Sequence, residues 1–217
     1  MDGTIAFRDT HDASYSSFFR HMGLEEQAEA ITGKYDDKVH NVMTPANHQR
    51  QFEETVALLQ GKKAPAPCEV WPSVPYAPGF QEFCSYLRFY GTNTGIVTLS
   101  LLYAADLICK ENEMQLAYGN ELNVRNGFFT GTGILHVRFG SKGTMVSKAI
   151  AALGTTPERT AYIGDSLNDV DPWNSVGLPL SVNLHHSKCQ KHVVKSFTDF
   201  HGVMDFFKDR VKLEKRI

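Results

Sequence analysis

Apolar residues in the first third of the chain recur every three or four positions, which is the spacing of one helix face. A helix is predicted after the capping stretch 12–14, with an apolar face formed by Tyr15, Phe18, Phe19 and Met22. Shorter helices are predicted over 24–31 and 35–42, and a longer one over 45–61. A Pro/Ala-rich stretch follows at 62–67. The pattern therefore predicts a small all-helical insert.

From residue 78 onward, short apolar runs alternate with helical patterns. Strands are predicted over 94–97, 115–118, 160–163 and 179–182. Helices are predicted around them, over 79–90, 101–112, 142–153, 168–175 and 199–213, with Gly-rich hairpins in 120–138. This alternation is typical of an α/β fold with a doubly wound, Rossmann-like parallel sheet. We expect a core domain of residues 1–10 and 75–217, with the helical segment 11–74 inserted into it.

Composition excludes several classes of partner. Of 217 residues, 42% are apolar and 21% charged, as in a globular protein, and the net charge is −2. This charge provides no general attraction for nucleic acid or an anionic membrane surface. No apolar stretch is long enough to span a bilayer, and the polar first residues predict no signal peptide. We expect neither nucleic acid nor a membrane as partner.

The cysteines are widely spaced, and no two form a CxxC pair. We therefore expect four reduced thiols and a reducing compartment, the cytoplasm. One cluster has ligand-like spacing for zinc, namely His185, His186, Cys189 and His192. A polar loop is the favoured interpretation of that cluster.

Two carboxylates follow the predicted strand 160–163. Gly164 ends the strand, and Asp165 and Asp169 come directly after it, four residues apart. The carboxyl ends of parallel strands are where open α/β sheets bind ligands, and carboxylate oxygens suit a hard cation such as Mg²⁺. The alternative is an ordinary turn and helix start, with Asp165 or Ser166 as the cap.

Four polar groups fall at strand ends or helix starts in a characteristic order. They are Asp2-Gly3-Thr4, Thr98, Lys142, and Gly164-Asp165-Ser166-Leu167-Asn168-Asp169. This set resembles the motifs of the haloacid dehalogenase-like (HAD) superfamily of phosphatases. The region 78–182 is most similar to its phosphoserine phosphatase group, and the helical insert resembles the C1-type cap of the superfamily.

The resemblance implies a Mg²⁺-dependent hydrolase of a small phosphorylated metabolite that works through an aspartyl phosphate. Asp2 would then be the general acid and base, and its main-chain carbonyl would bind the metal. Thr98 would donate a hydrogen bond to the phosphoryl oxygens, and Lys142 would neutralise their charge. Asp165 would bind Mg²⁺ directly, and Asp169 would bind it or orient its waters.

Several assignments keep alternatives. Asp9 matches an acidic substrate-binding residue of the phosphoserine phosphatase group, but it could equally be a helix N-cap. Ser100 could share the phosphate contact with Thr98, which could itself be a plain strand end. Lys148 competes with Lys142, and Lys142 is favoured because a helix start beside Gly140 and Gly143 lets the backbone meet an anion.

The resemblance also requires a nucleophilic aspartate two residues before Asp2, whereas the given sequence begins at Met1. We expect Met1 to be the internal residue of an Asp-Met-Asp-Gly-Thr turn in a longer chain, preceded by an apolar strand. A protein that starts at Met1 is expected to form no aspartyl phosphate, to bind Mg²⁺ more weakly and to turn over negligibly.

Other functions stay open. A pseudo-enzyme would keep the phosphate pocket as a binding or regulatory module, and a phosphotransferase would pass the phosphoryl group to another alcohol. Dehalogenation is disfavoured because the metal motif would be idle. Neither the exact substrate nor the oligomeric state follows from the sequence.

Overall fold

The computed structural model describes residues 1–7, 13–35 and 43–211. The α-helices are α1 (Ser14–His21), α2 (Glu25–Tyr35), α3 (Pro45–Ala57), α4 (Pro67–Val70), α5 (Phe80–Phe89), α6 (Leu102–Glu111), α7 (Lys142–Ala152), α8 (Val170–Trp173) and α9 (Phe200–Arg210). The strands are β1 (Gly95–Leu101), β2 (Leu116–Arg125), β3 (Phe128–Ile134), β4 (Ala161–Gly164), β5 (Leu178–Val182) and β6 (Lys195–Phe197). Short 3-10 turns cover Pro157–Arg159, Leu167–Asp169 and Ser187–His192.

The described strands form two three-stranded sheets, ordered β1-β2-β3 and β4-β5-β6. β1 pairs in parallel with β2, and β4, β5 and β6 are all parallel. β2 and β3 form the antiparallel hairpin predicted within 120–138. Parallel strands connected by helices confirm the predicted α/β class.

One apolar core joins the predicted insert to the sheets. Phe18 and Phe19 of α1 are fully buried, as are Leu101 at the end of β1 and Phe200 of α9. Each fully buried side chain of this size stabilises the fold by about 1.5–3 kcal/mol. α1 packs on β1 and α3 packs on β3. The division into core and insert remains a prediction.

Helix α2 ends later than the glycine at position 33 predicts. The predicted end before Gly33 is wrong, because α2 continues to Tyr35. A mid-helix glycine costs only about 1 kcal/mol. Two contacts with Glu54 of α3 hold the last turn, from Lys34 Nζ at 2.8 Å and Tyr35 Oη at 2.5 Å. The predicted helix 35–42 lies almost wholly outside the described residues.

Other boundaries moved as well. The helix predicted over 168–175 is a 3-10 turn followed by the four-residue α8. β1 continues to Leu101, four residues past the predicted strand 94–97, and β6 was not predicted. α9 ends at Arg210, and residues 212–217 lie outside the described part of the chain.

None of the described helices combines the length and apolar composition that a membrane crossing requires. All four cysteines are free thiols, and Cys84, Cys109 and Cys189 are buried. Cys189 belongs to the 3-10 turn Ser187–His192, and His192 is hydrogen-bonded to Asn174.

Candidate active site

The N-terminal turn lies directly against the metal motif. Thr4 Oγ1 donates to Asp165 Oδ1 at 2.6 Å. Gly3 has a φ of +78°, and a Cβ there would lie 2.6 Å from Asp165 Oδ2. Only glycine combines this left-handed conformation with such a close approach. The two motifs, 161 residues apart in sequence, are therefore built as one unit.

The Asp2 carboxylate is held by the start of helix α1. Ser14 donates its main-chain N–H to Oδ1 at 3.1 Å and its hydroxyl to Oδ2 at 2.9 Å. Ser14 Oγ also lies 2.8 Å from Ser100 Oγ. Burial raises the pKa of Asp2, and the Met1 amino group and the hydrogen bonds from Ser14 and Ser100 offset only part of that rise. Ala13 occupies the N-cap position of α1, and Asp2 accepts the Ser14 N–H; Asp12 of the predicted capping stretch lies outside the described residues.

The end of β1 carries Thr98 and Ser100. Thr98 is buried, and its Oγ1 accepts a hydrogen bond from Ser100 N at 3.1 Å. Asn120 on β2 is fully buried and donates to Leu99 O at 2.7 Å, while its Oδ1 accepts from Val137 N at 2.9 Å. Asn120 therefore fixes the main chain between the two hydroxyl residues.

Lys142 and Asp169 form a buried ion pair. Lys142 Nζ lies 2.6 Å from Asp169 Oδ1, and Tyr162 Oη donates to the same oxygen at 2.7 Å. Asp169 Oδ2 accepts from the main-chain N–H groups of residues 165 and 166 at 2.9 and 3.1 Å. A Cβ on Gly164 would lie 2.4 Å from Asp169 Cγ, so the carboxylate can dock only on a glycine. Lys148, the competitor of Lys142, is exposed.

The main chain at the start of α7 binds an anion, as expected from the glycines there, but that anion is the carboxylate of Asp171. Gly143 N donates to Asp171 Oδ2 at 2.9 Å. A carboxylate at a helix N-terminus is favoured by the helix dipole. Asp171 thus caps the helix that presents Lys142, a role that sequence reasoning missed.

The loop after β5 closes over the same region. His185 N donates to Asp165 O at 3.0 Å, and His185 Nε2 lies 3.4 Å from Asp165 Oδ2. Asn183, which has a φ of +56°, donates to Gly3 O at 3.2 Å. Burial raises the pKa of Asp165, and the Met1 amino group and the Thr4 hydroxyl offset only part of that effect.

A hard cation at this site would be held chiefly at Asp165. A buried carboxylate with a raised pKa gains from a nearby positive charge. Asp169 differs, because both of its oxygens already accept hydrogen bonds. In the described part of the chain, no three His, Cys, Asp or Glu side chains converge as a ready-made metal cluster. A Mg²⁺ ion here would depend on main-chain and water oxygens in addition to Asp165.

Most of the residues singled out from the sequence come together through direct contacts. Thr4 of the Asp2-Gly3-Thr4 turn donates to Asp165, the Asp165 N–H donates to Asp169, and Asp169 pairs with Lys142. Ser14 links Asp2 to Ser100, whose main-chain N–H donates to Thr98. Asp9 lies outside the described residues. Ser14, Tyr162, Asp171 and Asn183 contribute contacts that no short motif indicated.

Comparison with known proteins places the chain in a family. The sequence profile of haloacid dehalogenase-like hydrolases matches residues 1–171. The chain belongs to the haloacid dehalogenase-like hydrolase family.

A phosphoserine phosphatase of Streptomyces coelicolor is 27% identical over 168 residues, which are 76% of this chain and 39% of that protein. The chain spans about two fifths of the length of the curated relatives it matches. A substrate-bound phosphoserine phosphatase structure superposes with a TM-score of 0.71 at 19% identity, covering 95% of this chain and 94% of the other. A phospho-aspartyl intermediate analogue of phosphoserine phosphatase gives 0.67 at 18% identity, over 90% and 91%. At these identities the structures establish a shared HAD fold.

Proposed function

We propose that this HAD protein is a Mg²⁺-dependent phosphomonoester hydrolase that acts on a small phosphorylated metabolite through an aspartyl phosphate. The observation that carries the proposal is the direct contact between the motifs: the Asp2-Gly3-Thr4 turn donates to Asp165, the Asp165 N–H donates to Asp169, and Asp169 pairs with Lys142. Acidic and basic side chains at one point provide both a cation site and a phosphate site.

The residues divide the work by chemistry. Lys142 neutralises charge on the phosphoryl oxygens, and Thr98, with Ser100 beside it, donates hydrogen bonds to them. Asp165 and the main-chain carbonyl of Asp2 hold Mg²⁺, which when bound supplies positive charge against the phosphoryl group. Asp169 orients Lys142 and the 165–166 main chain, which is supported by its fully hydrogen-bonded carboxylate.

Asp2 is the general acid and base. In the first step the nucleophilic carboxylate attacks phosphorus, the ester P–O bond breaks, and Asp2 gives its proton to the leaving oxygen. In the second step Asp2 takes a proton from water, which attacks the aspartyl phosphate and releases inorganic phosphate. A general acid must hold its proton near neutral pH, and the raised pKa of Asp2 supports this role.

We propose that the nucleophile is an aspartate directly before Met1 in a longer form of the chain. Two observations support this. Met1 is buried, and the turn that follows it lies against Asp165. β1 and β4 are also terminal strands of their sheets. Thr4 contacts Asp165 just after β4, and Ser14, which holds the Asp2 carboxylate, contacts Ser100 on β1. A strand upstream of Met1 would lie between β1 and β4 and join the two sheets.

Phosphoserine is the leading substrate because the curated relatives are named as phosphoserine phosphatases. Asp9 remains the predicted contact to the substrate, outside the described residues. The four free thiols support a reducing compartment such as the cytoplasm.

A substrate screen tests the proposal. The 217-residue chain and the longest in-frame form of its coding sequence would be assayed with Mg²⁺ on phosphoserine, sugar phosphates and nucleoside monophosphates. We expect the longest form to release inorganic phosphate from at least one amino-acid or sugar ester. Release from none would refute a hydrolase, and phosphate transfer to added alcohols in place of water would indicate a phosphotransferase.

A further inference from the structure

Ser14 makes contacts that an ordinary helix start does not need. It is the first residue of α1 and is buried, with 1% of its surface exposed. Its N–H and hydroxyl both contact the carboxylate of Asp2, 12 residues upstream. Its hydroxyl also contacts Ser100 at the end of β1. One side chain thus links the N-terminal motif, the first helix and the strand that carries Thr98.

The geometry holds both oxygens of Asp2. Oδ1 accepts from Ser14 N at 3.1 Å and Oδ2 from Ser14 Oγ at 2.9 Å, so the plane of the carboxyl group is fixed. A hydroxyl both donates and accepts, and either oxygen of the Ser14–Ser100 pair can be the donor. The pair can therefore stay bonded to Asp2 whether or not that carboxyl carries a proton.

We propose that Ser14 is a positioning residue that aims the Asp2 carboxyl at the leaving oxygen of the substrate. This inference rests on the proposed function of Asp2 as general acid. Ser14 acts through Asp2 and Ser100 and contacts no reacting atom. Proton transfer depends steeply on the orientation of the acid, and general acid catalysis commonly contributes about 10²–10⁴-fold.

Comparing substrates with different leaving groups gives a ratio of kcat/KM values that a purely structural role of Ser14 would not change. An alkyl phosphate needs a proton on its leaving oxygen, whereas p-nitrophenolate leaves without one. The test compares kcat/KM for the best alkyl phosphate of the screen and for p-nitrophenyl phosphate, because kcat/KM reports the steps up to departure of the leaving group. The enzyme is the longest in-frame form of the chain.

Ser14→Ala is expected to lower kcat/KM on the alkyl ester about 10- to 100-fold and on the p-nitrophenyl ester by much less. Ser14→Thr, which keeps the hydroxyl, should recover most of the alkyl activity. Ser17→Ala is the matched control in the same helix, since Ser17 Oγ accepts from Trp71 Nε1 and donates to Ala13 O. It should leave the ratio of the two substrates unchanged.

The ratio does not depend on the fraction of protein that folds, so partial misfolding of Ser14→Ala cannot imitate the result. An unchanged ratio in Ser14→Ala with an active parent, or an equal shift in Ser17→Ala, would overturn the role of Ser14 while the proposed function stands. A parent protein without turnover on either ester would overturn the proposed function, and the role of Ser14 with it.

Discussion

The ammonium group of Lys142 lies 2.6 Å from Asp169 Oδ1, and both side chains are buried. Burial alone would lower the pKa of Lys142 and raise that of Asp169. Their mutual attraction outweighs burial in both cases, so the pKa of Lys142 lies above its usual range and the pKa of Asp169 below its own. The pair therefore stays charged, and a lysine at this position can meet a phosphate without losing its proton.

Breaking this pair is predicted to be strongly destabilising. Lys142→Met leaves the buried Asp169 carboxylate without its partner, and Asp169→Asn leaves the buried Lys142 ammonium without its partner. Each variant should lower the free energy of unfolding by about 3–5 kcal/mol. The double variant should lose less than the sum of the two, because neither charge is left alone. Urea unfolding of the four proteins measures these values.

The exposed pair of Lys34 and Glu54 is the control. Its N–O distance is 2.8 Å, but the Lys34 side chain is 59% exposed. Lys34→Met should therefore change stability far less than Lys142→Met does. Similar losses in Lys34→Met and Lys142→Met would contradict the account of the buried pair.

The stabilisation from Asp169 should disappear in acid. A carboxyl with a depressed pKa contributes stability that is fully present above its unfolded pKa, here 3.8, and is lost as the pH falls through the folded value. The raised pKa of Lys142 adds a contribution that is present below 10.5 and is lost only above it. The stability difference between the parent and Asp169→Asn should thus be level from about pH 5 to 9 and shrink below about pH 4.

Measuring a difference between two proteins removes the opposing effect of Asp2 and the burial part of that of Asp165. The pKa of each is raised chiefly by burial, so each alone would make the fold more stable as the pH falls, and this burial is common to both proteins. The charge of Asp169 also raises the pKa of Asp165, and that smaller effect is lost in the variant. Unfolding curves at about pH 3 and pH 7 suffice, with EDTA present. A difference that grows in acid would show that Asp169 is not held ionised by Lys142.

The close approach of Gly3 to Asp165 predicts a specific loss of Mg²⁺ binding. Gly3→Ala adds backbone strain of about 1–2 kcal/mol at a φ of +78° and forces a methyl group to within 2.6 Å of Asp165 Oδ2. Gly127 has a φ of +80° with no atom within 4 Å of an added Cβ, so Gly127→Ala carries the strain alone. Calorimetric titration with Mg²⁺ should find weaker binding only in Gly3→Ala. Equal affinities in the two variants would argue against Asp165 as the ligand.

The sequence predicted the parts of the fold that local periodicity determines. β4 and β5 are short apolar runs flanked by turn residues, so both strands were predicted. The helices α5, α6 and α7 have clear start and end signals in the sequence, and they were predicted too. β6 was missed because three residues are too few to show a period. α2 extended past Gly33, and its last turn contacts Glu54, 21 residues later, which local periodicity does not show.

Some residues of the candidate site could likewise be predicted from the sequence, and others could not. Asp2, Thr98, Lys142, Asp165 and Asp169 stand in an ordered set of motifs and could be named from the sequence. Ser14 and Asn120 could not, because their partners lie 12 and 21 residues away along the chain and only folding reveals them. The proposed nucleophile is a separate matter, since it depends on residues outside the given sequence.

Mg²⁺-dependent hydrolysis of p-nitrophenyl phosphate tests the central claim most directly. The longest in-frame form would be compared with its Asp165→Asn and Asp199→Asn variants, with Mg²⁺ and with EDTA. Asp199 caps the distant helix α9, and asparagine caps equally well, so this control should keep full activity. The account predicts release of p-nitrophenol by the parent and by Asp199→Asn that EDTA abolishes, with a loss of at least about 100-fold in Asp165→Asn. Hydrolysis that persists in EDTA or in Asp165→Asn would contradict it.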